Sequence, residues 1–121
     1  MDWAGYLQWR PAFLEATDER LYPARWLDGR VAAETVQFWR SDNAAALTEI
    51  RTYPSGLSDV HALVAAGDLD EIKALIVPQI EHWARLIGCV GFAVESRPAW
   101  ARVLKSCGFE THQVMVRKEF A

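Results

Sequence analysis

The chain has 121 residues, 51% of them hydrophobic and 24% charged, with a formal net charge of −3. That length supports one domain with a real core and excludes two. The slight acidic excess gives no reason to expect nucleic acid as the main partner, and Cys89 and Cys107, in no C-x-x-C spacing, read as small buried thiols rather than a disulfide framework.

The N-terminus, MDWAGYLQWR, lacks the basic start and apolar run of a signal peptide, and no apolar run approaches a membrane span. Synthesis and folding in a cytoplasm are therefore expected. Residues 3–21 carry apolar side chains at helical spacing, interrupted by Pro11; proline fits best in a first turn, which places a helix from there to about Asp18. Pro23 opens a second helix, PARWLDGRVAAE, with Trp26, Leu27 and Val31 on one face.

TVQFWR (35–40) alternates and is rich in β-branched and aromatic residues, so it reads as a strand. Ser41-Asp42-Asn43 is a turn, AALTEIRTY (45–53) the returning strand, and Pro54-Ser55-Gly56 a second turn before a third strand from Leu57 to Ala66. Gly67 breaks that strand. A long helix follows, its apolar stripe formed by Ile72, Leu75, Ile76, Ile80, Trp83, Ala84 and Ile87, with Pro78 inside it and Gly88 at its end. A crossover helix implies that the strands on either side of it lie parallel. Val90–Val94 is the next strand, Ser96 is expected to cap a helix with Pro98 in its first turn, and His112–Phe120 alternates as a closing strand.

The fold class is α/β (α+β): a mixed, mostly antiparallel sheet with one parallel crossover pair and helices on both faces. One domain spans 1–121, made of two N-terminal helices (1–34), an antiparallel meander (35–66) and a helix-strand-helix-strand half (67–120).

Six tryptophans are unusual in so short a chain. Trp83 and Trp100 occupy core-facing helical positions. Trp3, Trp9, Trp26 and Trp39 lie where fewer elements can cover them, which makes them a candidate aromatic patch for a protein partner or for self-association. Arg10, Arg20, Arg25 and Arg30 read as a solvated face paired with Asp18, Glu19, Asp28 and Glu34.

The element order, together with IEHWARLIGCVGFAVES followed by WARVLKSCGFETHQVMVRKEF, resembles the GCN5-related N-acetyltransferase family over about residues 35–120. Arg97-Pro98-Ala99-Trp100 and the YPSG turn are similar to small acetyltransferase-like proteins of tailed bacteriophages, some of them internal virion proteins. That resemblance implies synthesis in a host cytoplasm and a place in a virion.

The family holds the pyrophosphate of coenzyme A on backbone N–H groups at the start of the crossover helix, through an Arg/Gln-x-x-Gly-x-Gly/Ala loop. Here the matching stretch is Ala65-Ala66-Gly67-Asp68-Leu69-Asp70-Glu71, with one glycine, no basic residue and three carboxylates. Asp68 reads as the N-cap and Glu71 as its capping-box partner, so the chain itself satisfies the N–H groups an anion would need. Aligning Gly108-Phe109 with the family's Gly-Phe puts Arg97, Trp100 and Leu104 where active relatives carry an asparagine, a small residue and the tyrosine general acid. Ala66, Gly67, Asp68, Arg97 and Trp100 thus mark a vestigial cofactor site.

No cofactor and no metal is expected, and the resemblance implies an interaction or virion protein. The alternative is a divergent acetyl-CoA-dependent N-acetyltransferase with Glu49, Asp59 or His61 as base; Asp59 and His61 share one face of the third strand.

Overall fold

Two helices open the chain in the computed structural model, which describes residues 1–120. α1 (Trp3–Ala16) is capped by Asp2, whose carboxylate accepts from the Gly5 N–H at 2.9 Å, and α2 spans Ala24–Ala32. β1 (Gln37–Arg40), β2 (Ala44–Thr52) and β3 (Ser58–Gly67) form an antiparallel meander, with a bulge at Leu47/Thr48. The crossover runs through α3 (Leu69–Glu71), a π-turn (Ile72–Ile76) and α4 (Val77–Leu86) to β4 (Gly91–Val94), which pairs parallel with β3. α5 (Pro98–Leu104) follows, and the sheet order is β1-β2-β3-β4.

Alternation along β2 sends successive side chains into two separate cores. Ala45 and Leu47 meet Tyr6, Phe13, Leu27 and Val31 of α1 and α2. Ala44 and Ala46 meet Ile72, Ile76, Ile80 and Ala84 of the crossover. These three small alanines let helices approach both faces of the sheet closely. The mixed sheet with its one parallel pair and helices on both faces is the architecture expected from the sequence.

The tryptophans are divided between these layers. Trp9 and Trp26 pack on the α1/α2 side, whereas Trp39 packs on the crossover side, 5.4 Å from Trp83 with its indole N–H donating to Thr48 at 2.9 Å. Of the four tryptophans expected in one surface patch, only Trp3 is exposed, at 44%. Trp83 and Trp100 are half-buried against the crossover core.

Four other local expectations change. Pro11 lies inside α1 rather than at its start, because Asp2 caps the helix two turns earlier; the carbonyl that proline leaves unpaired belongs to Leu7, an exposed residue able to meet water. Pro78, expected to kink the crossover helix or leave one carbonyl unpaired, is instead preceded by a widened turn in which Val77 N–H reaches Ile72 C=O. Arg97, not Ser96, is the N-cap of α5, and Pro98 takes the first helical position.

Finally, His112–Phe120 forms no strand. Alternation shows that a segment is fit to pair, but these residues make no ladder with β4, although the outer edge of β4 is unpaired. The segment runs toward the α1–α2 connection, where Glu119 meets Arg20 at 3.3 Å in an exposed ion pair.

Candidate functional site

At the start of the crossover helix the chain closes on itself. Gly67 adopts φ +102°, and the Asp68 N–H donates to Asn43 C=O at 2.8 Å, tying the end of β3 to the β1–β2 turn. The Asp68 carboxylate accepts from the Glu71 N–H at 3.1 Å, the expected N-cap. Glu71 does not reach back to complete a capping box, since the Asp68 N–H is already taken; its carboxylate accepts instead from Asn43 N–H at 3.0 Å.

Ser41 Oγ is buried and makes no hydrogen bond of ordinary geometry. Ser41 and Asn43 beside it hold the Glu71 carboxyl below its usual range. Ala66 is half-buried against the α1/α2 core. On α5, Leu104 is buried and Trp100 packs on the crossover core, while Arg97 is exposed. Trp100 and Leu104 therefore work as packing residues.

The sheet itself gathers a second group. In register, Glu49 pairs with His61 and Arg51 with Asp59, so all four side chains share one face of β2 and β3. Glu49, 8% exposed, is held between two guanidiniums: Arg30 bonds one carboxylate oxygen and Arg51 bonds the other at 2.8 Å. Arg51 continues to Glu95 at 2.8 Å. Burial pushes the Glu49 carboxyl up, but its bonds to Arg51 and Arg30 outweigh this and hold it below the usual range.

Tyr53 completes the group, with its hydroxyl 2.8 Å from Asp59 Oδ2 and 3.0 Å from His61 Nε2. An ionised carboxylate only accepts, so the phenol proton goes to Asp59. His61 Nε2–H then donates to the phenol oxygen, and Nδ1 is left as the acceptor nitrogen. Burial, helped by Arg51, lowers the pKa of His61, and the ring is neutral at neutral pH. A neutral imidazole with a lone pair on Nδ1 can take a proton. Beside it, Gly91 leaves room for Asp59, since a Cβ there would lie 2.7 Å from Oδ1.

The structure thus brings Glu49, Asp59 and His61 together. Reading from sequence missed Arg30, Arg51, Tyr53 and Glu95. Polar residues at every second position from Glu49 to Tyr53 were a signal that this sheet face is polar. Among the described residues, no group of three or more His, Cys, Asp and Glu is placed to hold a metal ion.

His61 makes stability depend on pH in a definite direction. Its folded pKa lies below its ordinary 6.5, so between those two values the unfolded chain binds more protons. Stability is full above that ordinary value and falls as pH drops through the interval. Urea midpoints measured from neutral pH downward are expected to decline before the carboxylates begin to titrate, and His61→Gln is expected to flatten that first decline.

Scans against protein-family models and curated proteins find no match. Solved structures do match. An aminoglycoside 6'-N-acetyltransferase from Acinetobacter haemolyticus superposes with a TM-score of 0.73 at 16% identity, covering 100% of this chain and 95% of that one. An acetyltransferase from Trypanosoma brucei gives 0.64 at 16% identity, with 98% and 93% covered. A Clostridium acetobutylicum predicted acetyltransferase, solved with acetyl-CoA, gives 0.67 at 12% identity, with 98% and 90% covered. The chain has the fold of the GCN5-related N-acetyltransferases. No helix among the described residues is long and apolar enough to cross a membrane.

Proposed function

We propose that this protein keeps the acetyltransferase fold without acetyl-CoA chemistry and serves as a protein-interaction component, associated with the virion of a tailed bacteriophage. One observation carries the reading: at the crossover start the Asp68 carboxylate already accepts from the Glu71 N–H at 3.1 Å, while Glu71 accepts from Asn43 N–H of the β1–β2 turn at 3.0 Å. A diphosphate there would displace the Asp68 cap and meet the like charges of Asp68, Asp70 and Glu71. Trp100, packed as it is on the crossover core, adds bulk where the family uses a small residue. These residues do not fit coenzyme A held in the family's way.

Titration calorimetry with acetyl-CoA tests this. No heat of binding is expected up to millimolar ligand, and Asp68→Ala with Asp70→Ala is expected to lower stability without creating affinity. Micromolar binding by the unmodified protein overturns the reading.

A divergent N-acetyltransferase is the second reading, favoured by the neutral His61 set beside Tyr53 and Asp59. It requires acetyl-CoA binding and an acetylated amine product, and silence in the same titration ends it.

A further inference from the structure

The segment from Glu110 to Lys118 is strung between two anchors. At one end Phe109 stacks edge-on against Phe92, with ring centroids 5.0 Å apart. At the other, Glu119 meets Arg20 at 3.3 Å. Between them every residue is exposed, including Val114 at 78%, Met115 at 87% and Val116 at 88%. Among the described residues no backbone hydrogen bond involves 110–120. A strand-type sequence is therefore held out with its backbone donors and acceptors unused and three large apolar side chains in water. That is the situation in which a second strand adds.

The side chains indicate which strand it is. Placed antiparallel to itself about a two-fold axis at Val114, the segment sets Glu110 opposite Lys118 at both ends, His112 opposite Val116, and Val114 opposite its own copy. The face so formed is apolar at its centre and closed by an ion pair on each side. Moving the axis by one residue, to Met115, puts His112 opposite Lys118 and loses both ion pairs.

We propose that residues 110–118 are a self-pairing strand, and that the occupant of this exposed segment is the same segment of a second copy of the chain. The inference does not depend on whether coenzyme A binds. Isologous pairing consumes the free backbone groups of both segments and covers Val114 and Val116 on each.

Sedimentation equilibrium of the full chain tests it. The wild type is expected to dimerise reversibly. Val114→Pro, which removes an N–H at the axis, is expected to give a monomer with an unchanged circular dichroism spectrum, since the segment lies outside both cores. Glu110→Lys or Lys118→Glu alone is expected to raise the dimer Kd about tenfold, two cross-strand pairs having become like-charged. The double exchange, Glu110→Lys with Lys118→Glu, is expected to restore it. A wild type that stays monomeric, as it would if a different protein supplied the strand, overturns the proposal. So does a dimer indifferent to Val114→Pro, or a double exchange that fails to rescue.

Discussion

Gly67→Ala is expected to destabilise the protein by about 3 kcal/mol, more than an exposed position at a strand end would suggest. Two independent penalties meet there. The backbone sits at φ +102°, a region that a residue with a Cβ rarely adopts. A Cβ would also lie 2.7 Å from Ala44 Cα, crowd the Asn43 carbonyl oxygen, and reach to 3.0 Å of the Trp9 ring. Only the ring belongs to a side chain that can rotate away; the other two are backbone atoms, one of Asn43 in the β1–β2 turn and one of Ala44 at the start of β2.

Relief therefore requires the end of β3 to part from β2, which breaks the hydrogen bond from Asp68 N–H to Asn43 and loosens the base of α3. Gly56→Ala is the control, because Gly56 has φ +88° with nothing within 4 Å of the added atom. It carries backbone strain alone and is expected to lose roughly 1 kcal/mol. Urea unfolding with unchanged slopes gives both values, and equal losses would refute the crowding argument.

The parts of this fold that could be read from sequence are those in which one period decides the structure. The stripe from Ile72 to Ala84 leaves one face able to meet a sheet, and β1 to β3 alternate between turns that Asn43 and Gly56 make plain. Parallel pairing of β3 and β4 followed from the crossover alone. Reading failed where the outcome rests on a distant partner. His112–Phe120 has the alternation of a strand, yet no local signal reveals that it makes no ladder with β4 and ends beside Arg20, far back in the chain.

Trp39 reads as a surface aromatic until the crossover helix delivers Trp83 beside it. Pro11 looked like a helix start because Asp2, the actual cap, lies so near the chain's beginning. At the candidate site, Asp68 and Asp59–His61 were legible because a cap and an alternating strand are local. The four-membered chain Arg30–Glu49–Arg51–Glu95 joins α2, β2 and the loop after β4, and sheet register is needed to see it.

That chain of charges gives the second large effect. Glu49→Gln is expected to lose about 2 kcal/mol, because an amide keeps the shape of the carboxylate but turns N–H donors toward guanidinium donors. A fully buried pair broken in this way would lose more. Here Arg30 and Arg51 keep 30% and 40% of their side chains exposed and have other partners: Arg30 donates to Thr35 at 2.9 Å and lies 5.6 Å over the Trp26 ring, and Arg51 retains Glu95.

The sign of the pH dependence follows from the same contacts. Glu49 titrates below its ordinary 4.5 in the folded protein, so its contribution is complete above that value and disappears as pH falls through the folded pKa. The gap between wild-type and Glu49→Gln urea midpoints should thus be constant near neutrality and close in acid. A gap unchanged down to the acid limit would mean that the carboxylate's charge contributes nothing. The arrangement also bears on chemistry, since a carboxylate clamped by two cations has a lowered affinity for protons and is a weaker base than His61. If the protein does transfer an acyl group, His61→Gln should abolish transfer, whereas Glu49→Gln should reduce it only in proportion to the folded protein lost.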